Sequence, residues 1–182
     1  MPARLVSDFL RARPIFTSNV IASAGTMLTL FLAYLFHFVM TRLLPPSVYG
    51  DLSILIGVFS VVCVPAASIS SALTRELSVL EERGKHAQAN FVLFKYLWRT
   101  LAASFVLFAV LAVAASFVYN SDATRLAAVA LFLAIPANYA INVISARYQS
   151  KEDILALSVI GVAKELLKLA AAVALAVLGF GL

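Results

Sequence analysis

Four long stretches of this sequence contain no charged side chain. They hold 28, 23, 22 and 21 residues, between Arg13 and Arg42, Asp51 and Arg75, Arg99 and Asp122, and Arg125 and Arg147. A helix needs about 20 consecutive apolar residues to cross roughly 30 Å of hydrocarbon. Soluble domains are about one quarter charged, whereas this chain is 13% charged and 63% hydrophobic. Each stretch therefore predicts a transmembrane helix.

A fifth apolar segment carries Lys164, Glu165 and Lys168. From Leu169 to Leu182 there are 14 residues, which make about 21 Å of helix at about 1.5 Å per residue. That length is too short to cross a bilayer. A fifth span would therefore have to begin near Ile154 and take the lysines into the membrane.

The sequence thus predicts an all-α polytopic membrane protein with about five transmembrane helices. The predicted spans cover about 15–43, 51–74, 97–119, 125–147 and 154–179. Residues 1–14 are expected to form a cytoplasmic N-terminal segment, and residues 15–182 the helical bundle.

Lysine and arginine are distributed unevenly among the predicted connections. With the N-terminus in the cytoplasm, ten of them fall on the inner side and only Arg42 and Arg125 on the outer side. Cytoplasmic connections carry such an excess, so we predict a multi-pass protein of the cell membrane with a cytoplasmic N-terminus. The net charge of +5 is then explained by the orientation of the chain in the membrane, and no nucleic-acid partner is expected.

Proline and glycine mark the predicted connections. The segment RLLPPSVYGDL (42–52) predicts an outer turn, because Pro45 and Pro46 cannot continue a helix. The polar segment 75–95 predicts a short amphipathic helix at the membrane surface, broken near Gly84. Pro136 and Pro65 are candidates for kinks in their spans.

Polar side chains inside the first two spans follow single helical faces. The first face contains Asn19, Ser23, Thr26, His37 and Thr41, and the second Ser53, Gly57, Ser60, Ser68, Ser71 and Arg75. Small and hydroxylated residues commonly pack transmembrane helices together, and we interpret most of these positions in that way. In the fourth span, Asn138 and Asn142 lie one turn apart and predict either a polar cavity or a helix–helix seam.

Neither a metal site nor an enzyme is expected. His37 is interpreted as a packing or hydrogen-bonding residue, because His86 falls in the inner connection and cannot act with it as a ligand pair. Hydrolysis or group transfer would need paired carboxylates, a histidine cluster or a nucleophile with a base. The acidic pair Glu152 and Asp153 alone does not supply this chemistry, and no cofactor is predicted.

The lysines of the fifth segment are the strongest functional candidates. Lys164 and Lys168 share one helical face, whereas Glu165 points about 100° away. A lysine at mid-span costs about 2.5–3.5 kcal/mol on insertion scales. Snorkelling to the headgroups would suit Lys164 better than the deeper Lys168. An ion pair between Glu165 and Lys168 would leave Lys164 without a partner. A carboxylate from elsewhere in the protein is a third alternative. The functional alternative is the cationic wall of a cavity that holds an anionic substrate.

The segment from Asn19 through MTRLLPPSVYGDLSILIGVFSVV (40–62) to SISSALTREL (68–77) resembles the first two helices of polysaccharide transporters. Arg-Leu-Leu, a proline-containing turn and Tyr-Gly commonly link these helices in that family. Here Leu44, Pro45 and Pro46 stand where the family often has Leu-Gly-Pro. The segment KELLKLAAAVALAVLGFGL (164–182) is similar to the family's fifth helix, which often ends in a Leu-Gly-x-Gly turn. The family is the lipid-linked oligosaccharide flippase group, including O-antigen flippases, of the multidrug/oligosaccharidyl-lipid/polysaccharide superfamily.

The resemblance implies a flippase with two helical bundles around a central cavity. It would move a polyprenyl-diphosphate-linked oligosaccharide from the inner to the outer leaflet for polysaccharide biosynthesis. Lys164 and Lys168, helped by Arg75, would bind the diphosphate. The cavity-lining candidates are Asn19, Asn138 and Asn142.

Five spans would form an incomplete N-terminal bundle, with LGFGL (178–182) as the turn before a sixth helix. The expected partners are membrane lipids, the lipid-linked oligosaccharide, and either a missing C-terminal half or further copies of the chain. One alternative is a multidrug or cation antiporter of the same superfamily, which would be expected to place an acidic residue in the membrane. Another is a small membrane protein that assembles with partners and transports nothing.

Overall fold

A computed structural model describes residues 2–119 and 122–177, with side chains at 19–119, 125 and 128–173. Six helices follow one another in the chain: α1 (Pro2–Leu43), α2 (Pro46–Glu82), α3 (His86–Val118), α4 (Asp122–Phe132), α5 (Ala134–Ser150) and α6 (Ile154–Val177). The described ranges contain no strand, so the all-α prediction is confirmed. The predicted turn at 178–182 lies outside the described residues, as do positions 120 and 121.

Four helical stretches are long and apolar enough to cross a membrane. They are Asn19–Leu43, Pro46–Glu82, His86–Val118 and Ala128–Ser150. The protein is therefore an all-α polytopic membrane protein. The 24 residues of α6 would make about 36 Å of helix. Three of these residues are charged, so α6 is not counted among the four apolar stretches. The fifth span stays a prediction.

The first two connections show which local signals were reliable. Pro45 is extended, with ψ of 149°, and Pro46 opens α2, so the turn after α1 is very short. Gly84 has a φ of +68°, a conformation that favours glycine. The separate surface helix predicted over 75–95 is wrong. Instead α2 continues to Glu82 and α3 begins at His86, because good helix formers on both sides of Gly84 extend the spanning helices.

Helix boundaries elsewhere refine the predicted spans. α1 runs without a break from Pro2, so no helix end marks the predicted boundary at residue 14. Pro136 divides the fourth span, since its ring excludes the carbonyl of Phe132 and it has no N–H to donate. α4 accordingly ends at Phe132 and α5 begins at Ala134. Pro65, by contrast, lies within the continuous helix α2.

Helices α2, α3, α4 and α5 pack around two buried clusters. The first contains Leu55, Ala66, Ala115, Ala128, Phe132, Ile135 and Tyr139, and the second Leu73, Leu77, Ala89, Val143 and Ala146. Tyr139 Oη donates to the carbonyl oxygen of Val62 at 3.0 Å, and Thr74 Oγ1 donates to Gln149 Oε1 at 3.0 Å. The later residue of α2 contacts the later residue of α5, so the two helices run parallel.

Helix α6 packs beside α1, also in parallel. Gly25 meets Ser158 near one end of the pair. Near the other end, a cluster of Phe36, Met40 and Leu44 packs against α6. Its α6 neighbours are Leu169, Ala172 and Val173. Parallel pairs α1–α6 and α2–α5 agree with helices that cross the membrane in alternating directions, while the cytoplasmic position of the N-terminus stays a prediction.

Candidate functional site

The local structure of α6 begins at a sharp turn after α5. Glu152 adopts a φ of 55°, which reverses the chain. Asp153 then caps the new helix, because its Oδ1 accepts a hydrogen bond from the backbone N–H of Ala156 at 3.0 Å. This cap fixes the residue at which α6 begins.

Small residues set how closely α6 approaches α1. A Cβ added at Gly25 would lie 2.6 Å from both Cβ and Oγ of Ser158. A Cβ at Gly161 would lie 3.4 Å from Thr29 Oγ1. Such close approach through small residues is typical of packed transmembrane helices. The spacing of Gly25 and Thr29 on α1 and of Ser158 and Gly161 on α6 was a usable signal that sequence reasoning missed.

A shallow groove of about 380 Å³ runs along this crossing. Its walls are mainly apolar and come from Ala22, Gly25, Thr26, Thr29, Leu30, Ile154, Leu157, Ser158 and Gly161. None of the six predicted site residues lines it. The groove is therefore a feature of helix packing, separate from the candidate anion site.

The two lysines of α6 have different surroundings. Lys168 Nζ forms an ion pair with Glu165 and lies 5.0 Å from the centre of the Phe36 ring. Glu165 is only 8% exposed. Lys164 is exposed and, within the described part of the chain, has no ion-pair partner. The ion pair of Glu165 with Lys168, one of the alternatives left open by the sequence, is present, and it leaves the charge of Lys164 unaccounted for.

The charge of Lys164 acts on a residue of α2. Its ammonium lies close enough to the thiol of Cys63 for the two groups to interact electrostatically. Cys63 is half-buried and stands near the middle of the second predicted span. Lys164 therefore belongs to the space between the α1–α6 pair and the bundle built around α2.

A hydrogen bond joins the polar face of α1 to α2. Near their connecting turn, His37 Nδ1 and Tyr49 Oη lie 3.0 Å apart in a hydrogen bond. His37 thus has the hydrogen-bonding role expected for it. The exposed polar residues of the two faces are Asn19, Ser23, Thr26, His37 and Thr41 on α1, and Ser60, Ser68, Ser71 and Arg75 on α2.

Several hydroxyls on these faces are satisfied within their own helices. Thr26 Oγ1 donates to the carbonyl oxygen of Ala22 at 2.9 Å, and Ser60 Oγ donates to that of Ile56 at 2.8 Å. A hydroxyl bonded in this way does not need a ligand. The candidates for ligand binding are therefore the charged and amide side chains.

Asn138 and Asn142 form a bonded pair on α5. Asn142 Nδ2 donates to the main-chain oxygen and to Oδ1 of Asn138, each at 2.9 Å. Ser70 Oγ of α2 donates to the carbonyl oxygen of Asn142 at 2.9 Å. Both asparagines are half-buried. This geometry favours the seam between α2 and α5, and a cavity-lining role for the pair stays a prediction.

The six predicted site residues do not form a single contact set. Lys164 and Lys168 share α6, and Asn138 and Asn142 share α5. Asn19 is exposed on α1. Arg75 is exposed on α2, twelve residues or about 18 Å of helix beyond Cys63. Arg75 and Lys164 therefore lie at different depths.

A separate ionic cluster joins α2, α3 and α5, and sequence reasoning missed it. Arg147 Nη1 donates to Glu81 Oε1, and His86 Nδ1 lies 2.7 Å from Glu81 Oε2. Glu81 lies outside the uncharged stretch between Asp51 and Arg75. Burial raises the pKa of the Glu81 carboxyl, but His86 and Arg147 outweigh burial and hold that pKa below its ordinary value. Glu81 and Arg147 are 66 residues apart, so no local pattern predicts their pairing.

No group of three or more His, Cys, Asp or Glu residues that could hold a metal ion occurs among the described residues. Comparison with protein-family models, curated proteins and solved structures found no match to this chain.

Proposed function

We propose that this protein is a flippase for polyprenyl-diphosphate-linked oligosaccharides, and that the described helices belong to one bundle of that transporter. The observation that carries the proposal is the environment of Lys164. It is an exposed cation on a mainly apolar helix, and no described carboxylate pairs with it. A lysine inside the membrane is costly unless water or an anion offsets its charge. A diphosphate headgroup would supply such an anion.

Arg75 and Lys164 would act on the diphosphate one after the other. Arg75 lies about 18 Å of helix from Cys63, whose thiol interacts with Lys164. Arg75 stands at the predicted inner end of α2, where a substrate would enter, and Lys164 lies deeper. The polar faces of α1 and α2 would line the path between them. Rocking of one bundle against another is the general way in which such folds expose a site to alternate sides.

Two alternatives make different use of the same residues. A cation antiporter needs a carboxylate that can receive a cation, but Glu165 is buried and already paired with Lys168. This pairing favours the flippase. A non-transporting assembly protein would instead cover the exposed polar faces of α1 and α2 with helices of a partner. Binding of an anionic lipid through Lys164 distinguishes the flippase from that alternative.

The proposal is tested by binding of farnesyl diphosphate, a short polyprenyl diphosphate, to the full-length protein in lipid nanodiscs. Lys164→Gln should weaken binding about tenfold or more, because hydrogen bonds to charged groups contribute about 1.5–3 kcal/mol. Lys151→Gln is the matched control, since Lys151 is equally an exposed lysine but lies in the turn before α6. Farnesol controls for binding of the prenyl chain alone. Equal affinity of wild type and Lys164→Gln would contradict the proposal.

A further inference from the structure

We infer that the two lysines of α6 have separate roles. Lys168 is a positioning residue that neutralises Glu165 and holds α6 against α1, whereas Lys164 alone presents its charge to the ligand. The role of Lys164 rests on the proposed function. The role of Lys168 follows from its contacts and can be tested without any ligand.

Glu165 creates the requirement for a nearby cation. Its side chain is 10% exposed and carries a carboxylate into the packed side of α6. Burying an ionised carboxylate is strongly unfavourable unless a partner neutralises it. Among the described residues, the ion pair that Glu165 forms is with Lys168, one helical turn further along.

The ammonium of Lys168 has two partners, although 46% of its side chain is exposed. One partner is Glu165 on the same helix. The other is the Phe36 ring of α1, whose centre lies 5.0 Å from Nζ, within the range of a cation–π contact. Phe36 is 4% exposed and belongs to the cluster that packs α1 against α6. Lys168 therefore connects a buried charge to a buried interface.

Among the residues whose side chains are described, Lys164 has neither kind of contact. It precedes Glu165 and is rotated about 100° from it around the helix axis. Its side chain is exposed, and Glu165 is engaged with Lys168 instead. Removal of Lys164 leaves no buried group unpaired, whereas removal of Lys168 leaves the Glu165 carboxylate buried without its cation. Substitution of Lys168 should therefore lower stability with little effect on ligand binding. Substitution of Lys164 should weaken ligand binding with little effect on stability.

The stability arm measures thermal unfolding of the full-length protein in one detergent at neutral pH. Lys168→Gln should lower Tm by roughly 5 °C or more, because an uncompensated buried charge is strongly destabilising. The double variant Glu165→Gln with Lys168→Gln should recover most of that loss, since no buried carboxylate remains. Lys164→Gln should change Tm by less than about 2 °C. A Tm unchanged by Lys168→Gln, or a double variant no more stable than the single one, would overturn the role of Lys168.

The binding arm uses farnesyl diphosphate with the same proteins in nanodiscs. The double variant should bind within about threefold of wild type, whereas Lys164→Gln should lose about tenfold or more. If Lys168→Gln does not fold, the double variant still decides the question. A double variant that loses binding as severely as Lys164→Gln would make Lys168 a ligand residue and overturn the inference. Normal binding by Lys164→Gln would instead overturn the proposed function, and the stability arm would still decide the role of Lys168.

Discussion

Gly25 on α1 and Ser158 on α6 approach so closely that a Cβ added to the glycine would lie 2.6 Å from the serine Cβ. Two side-chain carbon atoms that are not bonded cannot approach this closely, so any larger residue at position 25 must move α6. The contact lies ten residues before Lys168 and six before Lys164 on the same helix. The α1–α6 crossing therefore determines where both lysines stand.

Gly25→Ala should destabilise the protein, because overpacking a tight contact costs about 1–3 kcal/mol. Gly57→Ala is the matched control, since a Cβ at Gly57 would meet nothing within 4 Å, and alanine favours a helix interior by about 0.5–1 kcal/mol over glycine. Thermal unfolding of the full-length variants checks both expectations. Adding Ser158→Gly to Gly25→Ala should restore stability. Equal melting of the two single variants would show that the crossing is not tight.

The ionic cluster of Glu81, His86 and Arg147 should make stability depend on pH. The pKa of Glu81 is lower in the folded protein than its ordinary value of 4.5. A lowered folded pKa means that the cluster stabilises the protein fully above pH 4.5 and loses this contribution as pH falls through the folded pKa. Glu81→Gln should therefore unfold at a lower temperature than wild type at pH 7, and this difference should shrink as pH falls below about 4.5.

The control for the Glu81 prediction is Glu76→Gln, which removes the same charge from an exposed position on the same helix. Melting temperatures of both variants and wild type, measured from pH 7 to pH 3, provide the comparison. A constant difference between wild type and Glu81→Gln over this range would exclude titration of Glu81 as its source. An equal effect of Glu76→Gln would assign the change to net charge instead of to the cluster.

Cys63 provides a native reporter for the charge of Lys164, because it is the single cysteine of the chain. An anionic thiol reagent, 2-sulfonatoethyl methanethiosulfonate, should react faster than its trimethylammonium analogue, since the nearby ammonium attracts anions. Lys164→Gln should lower the ratio of the two rates by about threefold or more. Lys151→Gln should leave the ratio unchanged.

Rates measured on full-length protein in nanodiscs check the Cys63 prediction. Using the ratio removes effects that act on both reagents alike, such as access through the membrane or thiol reactivity. A ratio that stays the same in Lys164→Gln would mean that Lys164 does not control the potential at this depth. The same measurement with added inorganic pyrophosphate should lower the anionic preference if the site accepts diphosphate.

Much of the fold follows from local features of the sequence. The gaps between charges predict the first four spans, because the thickness of the hydrocarbon fixes the length of an uncharged helix. Pro45, Pro46 and Gly84 predict the ends of helices, because their backbone restrictions act within a few residues. The pairing of Glu165 with Lys168 is equally local, since residues three apart are neighbours on a helix surface.

The arrangement of the helices was not predictable in this way. Several helices are similarly apolar, so hydropathy does not show that α1 packs on α6 or that α2 packs on α5. These pairings depend on contacts between distant residues, such as Gly25 with Ser158 and Glu81 with Arg147. The same limit applies to the site. The position of Lys164 beside Cys63 follows from the rotation of α6, which long-range packing determines.

Translocation itself tests the central claim most directly. Proteoliposomes would contain full-length protein and a polyprenyl-diphosphate-linked sugar, and a membrane-impermeant glycosidase added outside would digest the sugars that reach the outer leaflet. Wild type and Lys151→Gln should make the inner-leaflet pool accessible, whereas Lys164→Gln, present at the same level, should slow this exposure about tenfold or more. Exposure at the wild-type rate by Lys164→Gln would contradict the role assigned to Lys164. No exposure above protein-free vesicles by the wild type would contradict the flippase assignment.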